Sequence, residues 1–215
     1  MMYAIVDCNN FYVSCERVFE PQFGQKHLVI LSNSDGCVIS GSQEANSLGI
    51  AMGAPKFKIR VDFNAMNISI LSSNYALYGD FSARVMNILK QFSPNVEVYS
   101  IDEAFLNFDG MPITNFEQYG LLMIDRIQKW LGLPVSIGFA STKVLAKVAN
   151  RIVKKYPVRT TGIYIIDSDE KRTKALQWTK IEDVWGIGSR LSKKLKAIHV
   201  NTAFDFIQSE HQNWI

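Results

Sequence analysis

Two β-rich runs, residues 96–101 and 104–108, are separated only by Asp102-Glu103. So short a connection predicts a tight hairpin, and an isolated hairpin needs neighbouring strands to bury its apolar face. Residues 3–8 read as a short buried strand ending on Asp7, and 135–140 and 162–166 as two more. Helical spacing of Leu77, Phe81, Val85, Ile88, Leu89 and Phe92 marks 75–92, which ends before Pro94. Leu121, Ile124, Ile127 and Leu131 mark a second amphipathic helix over 116–131, and 142–156 reads as a basic one. With residues 11–72 and the helix after them set aside, the order is strand, hairpin, helix, strand, helix, strand. That order predicts an α+β fold with a split βαβ, ferredoxin-like sheet and helices packed on one face. Within 11–72, a run at 27–31 closes on the turn Ser32-Asn33-Ser34-Asp35-Gly36, and 38–40 leads into a short helix over 42–48 stopped by Gly49. From Asp167 onward the chain turns helical and charged, over 171–178, 181–184, 189–198 and 202–207.

Composition narrows the class. With 47% hydrophobic and 20% charged residues, the chain is neither a disordered tail nor a low-complexity linker. No apolar run approaches the ~18–20 residues of a membrane helix. The N-terminus lacks a basic segment before its apolar stretch, so no signal peptide is expected, and no membrane partner. Three cysteines without metal-ligand spacing are expected to be reduced thiols of a cytoplasmic protein. The charge is uneven. Residues 1–140 carry 9 Lys+Arg against 13 Asp+Glu, whereas 141–199 carry 14 against 5. A basic segment of this kind is either a polyanion-binding surface or a solvated lysine-rich helix face.

Asp7 ends the first strand and Asp102-Glu103 sit between the hairpin strands. In a split βαβ sheet those strands are central neighbours, so three carboxylates can converge at one edge. Like charges so placed repel and need a counter-charge, which hard cations with oxygen ligands supply. Two Mg²⁺ ions ~3.5–4 Å apart can activate a 3′-hydroxyl and stabilise a leaving pyrophosphate in an in-line displacement. A second constellation is Gly186-Ile187-Gly188 followed by Arg190, Lys193 and Lys194. A Gly-x-Gly hairpin opening a helix lets backbone N–H groups approach a phosphate, or is a simple helix–helix turn.

Several stretches resemble the Y-family of translesion DNA polymerases. They are Asp7-Cys8-Asn9-Asn10-Phe11-Tyr12, Ser32-Asn33-Ser34-Asp35-Gly36-Cys37-Val38, Ser72-Ser73-Asn74-Tyr75, Tyr99-Ser100-Ile101-Asp102-Glu103-Ala104-Phe105, Thr142-Lys143-Val144-Leu145-Ala146-Lys147 and Asp183-Val184-Trp185-Gly186-Ile187-Gly188. They run in family order over nearly the whole chain, and the second points to the branch that serves SOS mutagenesis. The resemblance implies a ferredoxin-like palm (1–10 and 73–162), inserted fingers (11–72) and a small helical thumb (163–215) containing a helix-hairpin-helix. It implies error-prone, template-directed DNA synthesis past damaged bases, with primer–template DNA and deoxynucleoside triphosphates as partners. The processed UmuD dimer, RecA and the sliding clamp are further partners of that branch.

The resemblance also implies residue roles. Asp7, Asp102 and Glu103, with the backbone carbonyl of Cys8, hold two Mg²⁺ ions. Tyr12 is the steric gate beneath the sugar of the incoming nucleotide, and the amides around Phe11 and Tyr12 face its triphosphate. Ser40 and Lys154 match phosphate-binding positions, and Gly186, Gly188, Arg190, Lys193 and Lys194 grip the duplex backbone. Two positions depart: Asn46 stands where relatives carry Arg or Lys, and Gln43 where some carry an aromatic. The chain stops at Trp214-Ile215, inside the implied thumb and without the little-finger domain. The alternatives are a shortened homologue that binds DNA or protein partners without extending primers, and a nucleotidyl cyclase, which also mounts two metal carboxylates on a ferredoxin-like sheet.

Overall fold

A computed structural model describes residues 1–24, 26–33, 36–59, 63 and 65–208. β1 (Tyr3–Cys8) is followed by α1 (Phe11–Phe19), β2 (His27–Leu31), β3 (Val38–Gly41), α2 (Gln43–Ser47) and β4 (Ile68–Ser72). Then come α3 (Tyr75–Leu89), the hairpin strands β5 (Asn95–Val98) and β6 (Glu103–Asn107), α4 (Phe116–Leu131), β7 (Val135–Ala140) and α5 (Lys143–Lys155). The short α6 (Pro157–Thr160), β8 (Ile163–Ile166), α7 (Asp169–Trp178), α8 (Ser189–Ala197) and α9 (Ala203–Gln208) complete the described chain.

The main sheet has the order β5-β6-β1-β7-β8. β1 lies between β6 and β7, antiparallel to both, and β6 is antiparallel to β5. Those four strands are the expected ferredoxin-like set. β8 extends it, parallel to β7. A parallel neighbour requires a crossover, and α5 is that crossover.

Because side chains alternate along β1, its two faces meet different helices. Ala4, Val6 and Cys8 pack into a core with Tyr78, Val85 and Leu89 of α3 and Met123 and Ile127 of α4. Ile5 joins Phe105, Ala146, Ala149 and Ile152 on the other side. The expectation of helices on one face is therefore corrected: α3 and α4 cover one face, and α5, backed by α7, covers the other. β8 is the cause, since the helix that feeds it crosses the face α3 and α4 leave open.

α5 lies close to the sheet because β7 offers a glycine. A Cβ on Gly138 would meet Ala146 O and Asn150 N, each at 2.3 Å, so backbone packs on backbone there. Thr142 caps the helix, its Oγ1 accepting from Leu145 N at 3.2 Å.

Residues between α1 and α3 build a second sheet, β3-β2-β4, with β2 antiparallel to β3 and parallel to β4. Val29 and Leu31 face a small core with Val38, Ala45 and Ile68, while Leu28 and Ile30 join the main core. Two of its supports, α1 and β4, are absent from the elements the pattern predicts. The hairpin also differs: β5 ends at Val98, residues 99–102 form the turn, and Glu103 is the first residue of β6. The turn expected over residues 32–36 includes 34 and 35, and Trp214-Ile215 follow residue 208; these positions lie outside the described residues.

Candidate active site

The edge of the main sheet where β1 ends and β6 begins gathers the acidic residues. Asp7 is directly opposite Glu103 in the antiparallel register, and Cys8 N–H donates to Asp102 O at 2.9 Å. Opposed residues of an antiparallel pair share a face, so the Asp7 and Glu103 side chains both project toward α5. α5 answers with cations at i, i+4 and i+7. Lys147 Nζ reaches both carboxylate oxygens of Glu103, at 3.0 and 3.1 Å. Lys154 Nζ lies 2.6 Å from Asp7 Oδ2, and Arg151 lies 2.7 Å from Asp183. Asp102 Oδ1 accepts from Ser100 Oγ at 2.6 Å.

Asp7 is 9% exposed, and burial pushes its carboxyl up to about 6 from the ordinary 3.8. The opposing pull of Lys154 is weaker, and repulsion from Asp102 and Glu103 adds to the rise. Desolvation wins because the Lys154 side chain is 44% exposed, so water screens its attraction. Asp7 Oδ1 is buried and has no hydrogen-bond partner. Such an orphan is costly in a fold unless something else completes it.

The donor set fits a hard divalent cation: carboxylates, a strand-end carbonyl and one buried oxygen left unpaired. Among the described residues no three His, Cys, Asp or Glu side chains stand together as a ready-made metal cluster, and each of the three carboxylates is held by a protein group.

A family model described as impB/mucB/samB matches residues 6–151, spanning both carboxylate segments and α5 up to Arg151. The chain belongs to the impB/mucB/samB family. It is similar to Protein UmuC of Salmonella typhimurium, 43% identical over 215 residues, covering all of this chain and 50% of that protein. DNA polymerase IV of Saccharolobus solfataricus is 30% identical over 217 residues, covering 98% of this chain and 59% of the relative. Among solved structures, the insertion ternary complex of Dbh DNA polymerase superposes with a TM-score of 0.85 at 26% identity, over 99% of this chain and 62% of that one. The chain thus spans about half the length of the relatives it matches.

The other predicted residues of this impB/mucB/samB member fall into three places. Tyr12, in the first turn of α1, stacks on Tyr78 with centroids 4.4 Å apart and meets the edge of Tyr75 at 6.2 Å. Burial raises its hydroxyl pKa, with repulsion from Tyr75 and Asp102 adding to the rise. Asn10 precedes α1 in the left-handed region at φ 46°, without a side-chain cap, and the first helical bond runs from Ser14 N–H to Asn10 O. The N–H groups at Phe11 and Tyr12 therefore find no carbonyl within the helix. Ser40 is buried on β3 opposite Ile30, in the second sheet. Asn46 donates its amide to Gly41 O at 3.2 Å, at the end of that strand.

Gly186 (φ 96°) and Gly188 are exposed and lead into α8, which starts with no side-chain cap. Arg190, Lys193 and Lys194 are exposed on α8 and make no ion pair among the described residues. The element before this loop is a single 3₁₀ turn, Ile181–Asp183, rather than a full helix.

Two contacts are missing from the sequence reading, although one of the residues, Lys147, closes the stretch 142–147 that carries the resemblance. Lys147 holds Glu103, and the available signal is its spacing with Arg151 and Lys154 on one face of a basic helix. Tyr78 is fully buried, and its hydroxyl donates to Glu16 at 2.7 Å beneath the Tyr12 ring. A tyrosine at a core position of an amphipathic helix gives no sequence sign of that contact.

Proposed function

We propose that this chain is the catalytic half of a translesion DNA polymerase of the Y family, performing template-directed nucleotidyl transfer with deoxynucleoside triphosphates on primer–template DNA. The observation that carries the reading is Asp7, buried with one carboxylate oxygen unpartnered, in register with Glu103 and beside Asp102. Similarity to UmuC and to a DNA polymerase ternary complex supports it.

Asp7, Asp102 and Glu103, with the Cys8 carbonyl, would hold two Mg²⁺ ions. When bound, such ions activate the primer 3′-hydroxyl and neutralise charge on the leaving pyrophosphate. The protein's own groups do the rest. The unpaired N–H groups at the start of α1 and the Lys154 ammonium, which Asp7 then releases, bind the triphosphate with Ser40. Tyr12, braced by Tyr78, lies under the sugar and excludes a 2′-hydroxyl. Gly186 and Gly188 bring backbone N–H groups to the duplex phosphates, with Arg190, Lys193 and Lys194 adding charge.

In this reading residues 1–10 and 73–162 are the palm, 11–72 the fingers and 163–215 thumb. The processed UmuD dimer, RecA, the sliding clamp and a cytoplasmic setting belong to the same proposal. No helix among the described residues is long and apolar enough to cross a membrane. The test is Mg²⁺-dependent extension of a labelled primer at low salt, with Asp102→Ala beside the parent chain. Extension by the parent alone is expected. Equal extension by both sinks the carboxylate assignment, and extension by neither shifts the reading to a DNA- or protein-binding homologue.

A further inference from the structure

Lys147 is enclosed on two sides. One side is the Glu103 carboxylate; the other is a box of aromatic faces. Its Nζ stands 4.3 Å from the Tyr99 ring centroid and 5.4 Å from that of Trp185. The box is itself fastened. Trp185 Nε1–H donates to Tyr99 Oη at 2.9 Å, the two rings meet edge-on at 5.4 Å, and Trp185 also lies against Phe105 at 5.6 Å. Tyr99 opens the turn that ends on Asp102, and its N–H donates to Glu103 O at 3.1 Å. Trp185 directly precedes Gly186. A cleft of about 310 Å³ lined by Asp7, Glu103, Lys147 and Trp185 joins these groups.

The geometry points to Lys147 as a positioning residue with two seats, resting on the proposed metal-dependent polymerase reading. Its ammonium neutralises Glu103 while no divalent cation is there, and the Tyr99–Trp185 box holds it when a cation takes the carboxylate. A protonated amine and a divalent cation compete for the same oxygens, so the pair resists cation entry. Aromatic faces attract a cation without hydrogen-bonding it, which lowers the cost of letting Glu103 go. The box thereby tunes how readily the acidic edge loads. Because Trp185 adjoins the loop that faces duplex phosphates in this reading, displacement of that loop would alter the box and the loading together. Lys154 differs, since no aromatic ring is placed over its ammonium among the described residues.

Two substitutions are expected to move cation affinity in opposite directions. Lys147→Gln removes the competitor and should tighten binding of Mn²⁺ alone, without DNA or nucleotide, roughly five- to tenfold. Trp185→Ala removes one wall, leaves Lys147 on Glu103 and should weaken Mn²⁺ binding about two- to fivefold. In the double variant the Trp185 effect should vanish, which a merely structural role for the tryptophan would not produce. Binding is read by the electron paramagnetic resonance of free Mn²⁺ on the full chain, with Asp102→Asn as the site control. The opposite signs, with no Trp185 effect remaining in the double variant, would support the assignment. Asp102-dependent binding that Lys147→Gln leaves unchanged or weakens would overturn the two-seat role while leaving the metal site intact. Absence of Asp102-dependent binding in the parent and Lys147→Gln chains would overturn the metal-site reading and this inference with it.

Discussion

Replacing Asp7 with Asn should make the metal-free protein more stable at neutral pH. Asp7 has an ordinary pKa of 3.8 when exposed and about 6 in the fold. Between those values the folded state holds a proton that the unfolded chain has released. For this group, stability is therefore fully present below about pH 4 and is lost as pH rises through about 6. A rise of roughly two units at 1.36 kcal/mol each makes the cost of ionising Asp7 in the fold about 3 kcal/mol at pH 7. Lys154 is already included in that net figure, and its half-exposed ammonium returns to water when the carboxylate is gone. Asn copies the shape of the neutral acid, so burying its amide shifts both ends of the profile alike. The advantage of Asp7→Asn over the parent should therefore grow by about 2–3 kcal/mol between pH 4 and pH 7. At about 2–4 °C per kcal/mol for a chain of this size, that is roughly 5–10 °C in Tm. Thermal or urea unfolding in EDTA at pH 4, 5, 6 and 7 reads it. A stability difference that is flat with pH, or that turns against Asn at pH 7, would show that Lys154 outweighs burial and would refute the reasoning.

Three further outcomes follow from the packing and the loops. Gly138→Ala drives a methyl into α5 backbone at 2.3 Å; overpacking of this kind costs about 1–3 kcal/mol, visible as a lower urea midpoint. Tyr12→Ala should raise incorporation of ribonucleotides relative to deoxynucleotides in primer extension while leaving DNA affinity, measured by fluorescence anisotropy, near that of the parent. Lys193→Ala with Lys194→Ala should flatten the dependence of log DNA affinity on log salt by roughly 0.9 for each phosphate the variant no longer neutralises, and an unchanged slope would show that α8 does not meet the duplex.

How far the sequence alone reveals this structure depends on what each residue's neighbours are. β1, β2 and β7 are short, mostly apolar runs, and their limits agree with the pattern. α4 and α5 likewise show one apolar face each. α1 is missed although Asn10, directly before it, is of a residue type that starts helices; in the fold Asn10 is left-handed at φ 46° and its side chain makes no cap bond. β4 is a short edge strand whose pairing to β2 comes from residues some 40 positions away. Adjacent acids suit turns, which places Glu103 between the strands in the sequence pattern, whereas the pairing with Asp7 draws it into β6. The carboxylates themselves are legible, since a charge closing an apolar strand needs a reason to be there. The pairing of Lys147 and Lys154 with them is not, although Lys154 is singled out as a phosphate-binding position, because their reach depends on how near α5 lies to the sheet, and one glycine of β7 sets that distance.

The position of β1 between β6 and β7 has a consequence for synthesis. The strand bearing Asp7 leaves the ribosome before both of its neighbours, and the second of them is complete only at residue 140. At about 5–20 residues per second, some 130 residues take roughly 7–26 s. Until β6 is complete at residue 107 both edges of this apolar strand are unpaired on a growing chain, and one edge stays so until residue 140, a ready template for misplaced pairing. Asp7 closes that strand with a charge and so shortens its sticky length. The residue at the centre of the proposed chemistry of the finished protein would also protect the unfinished one.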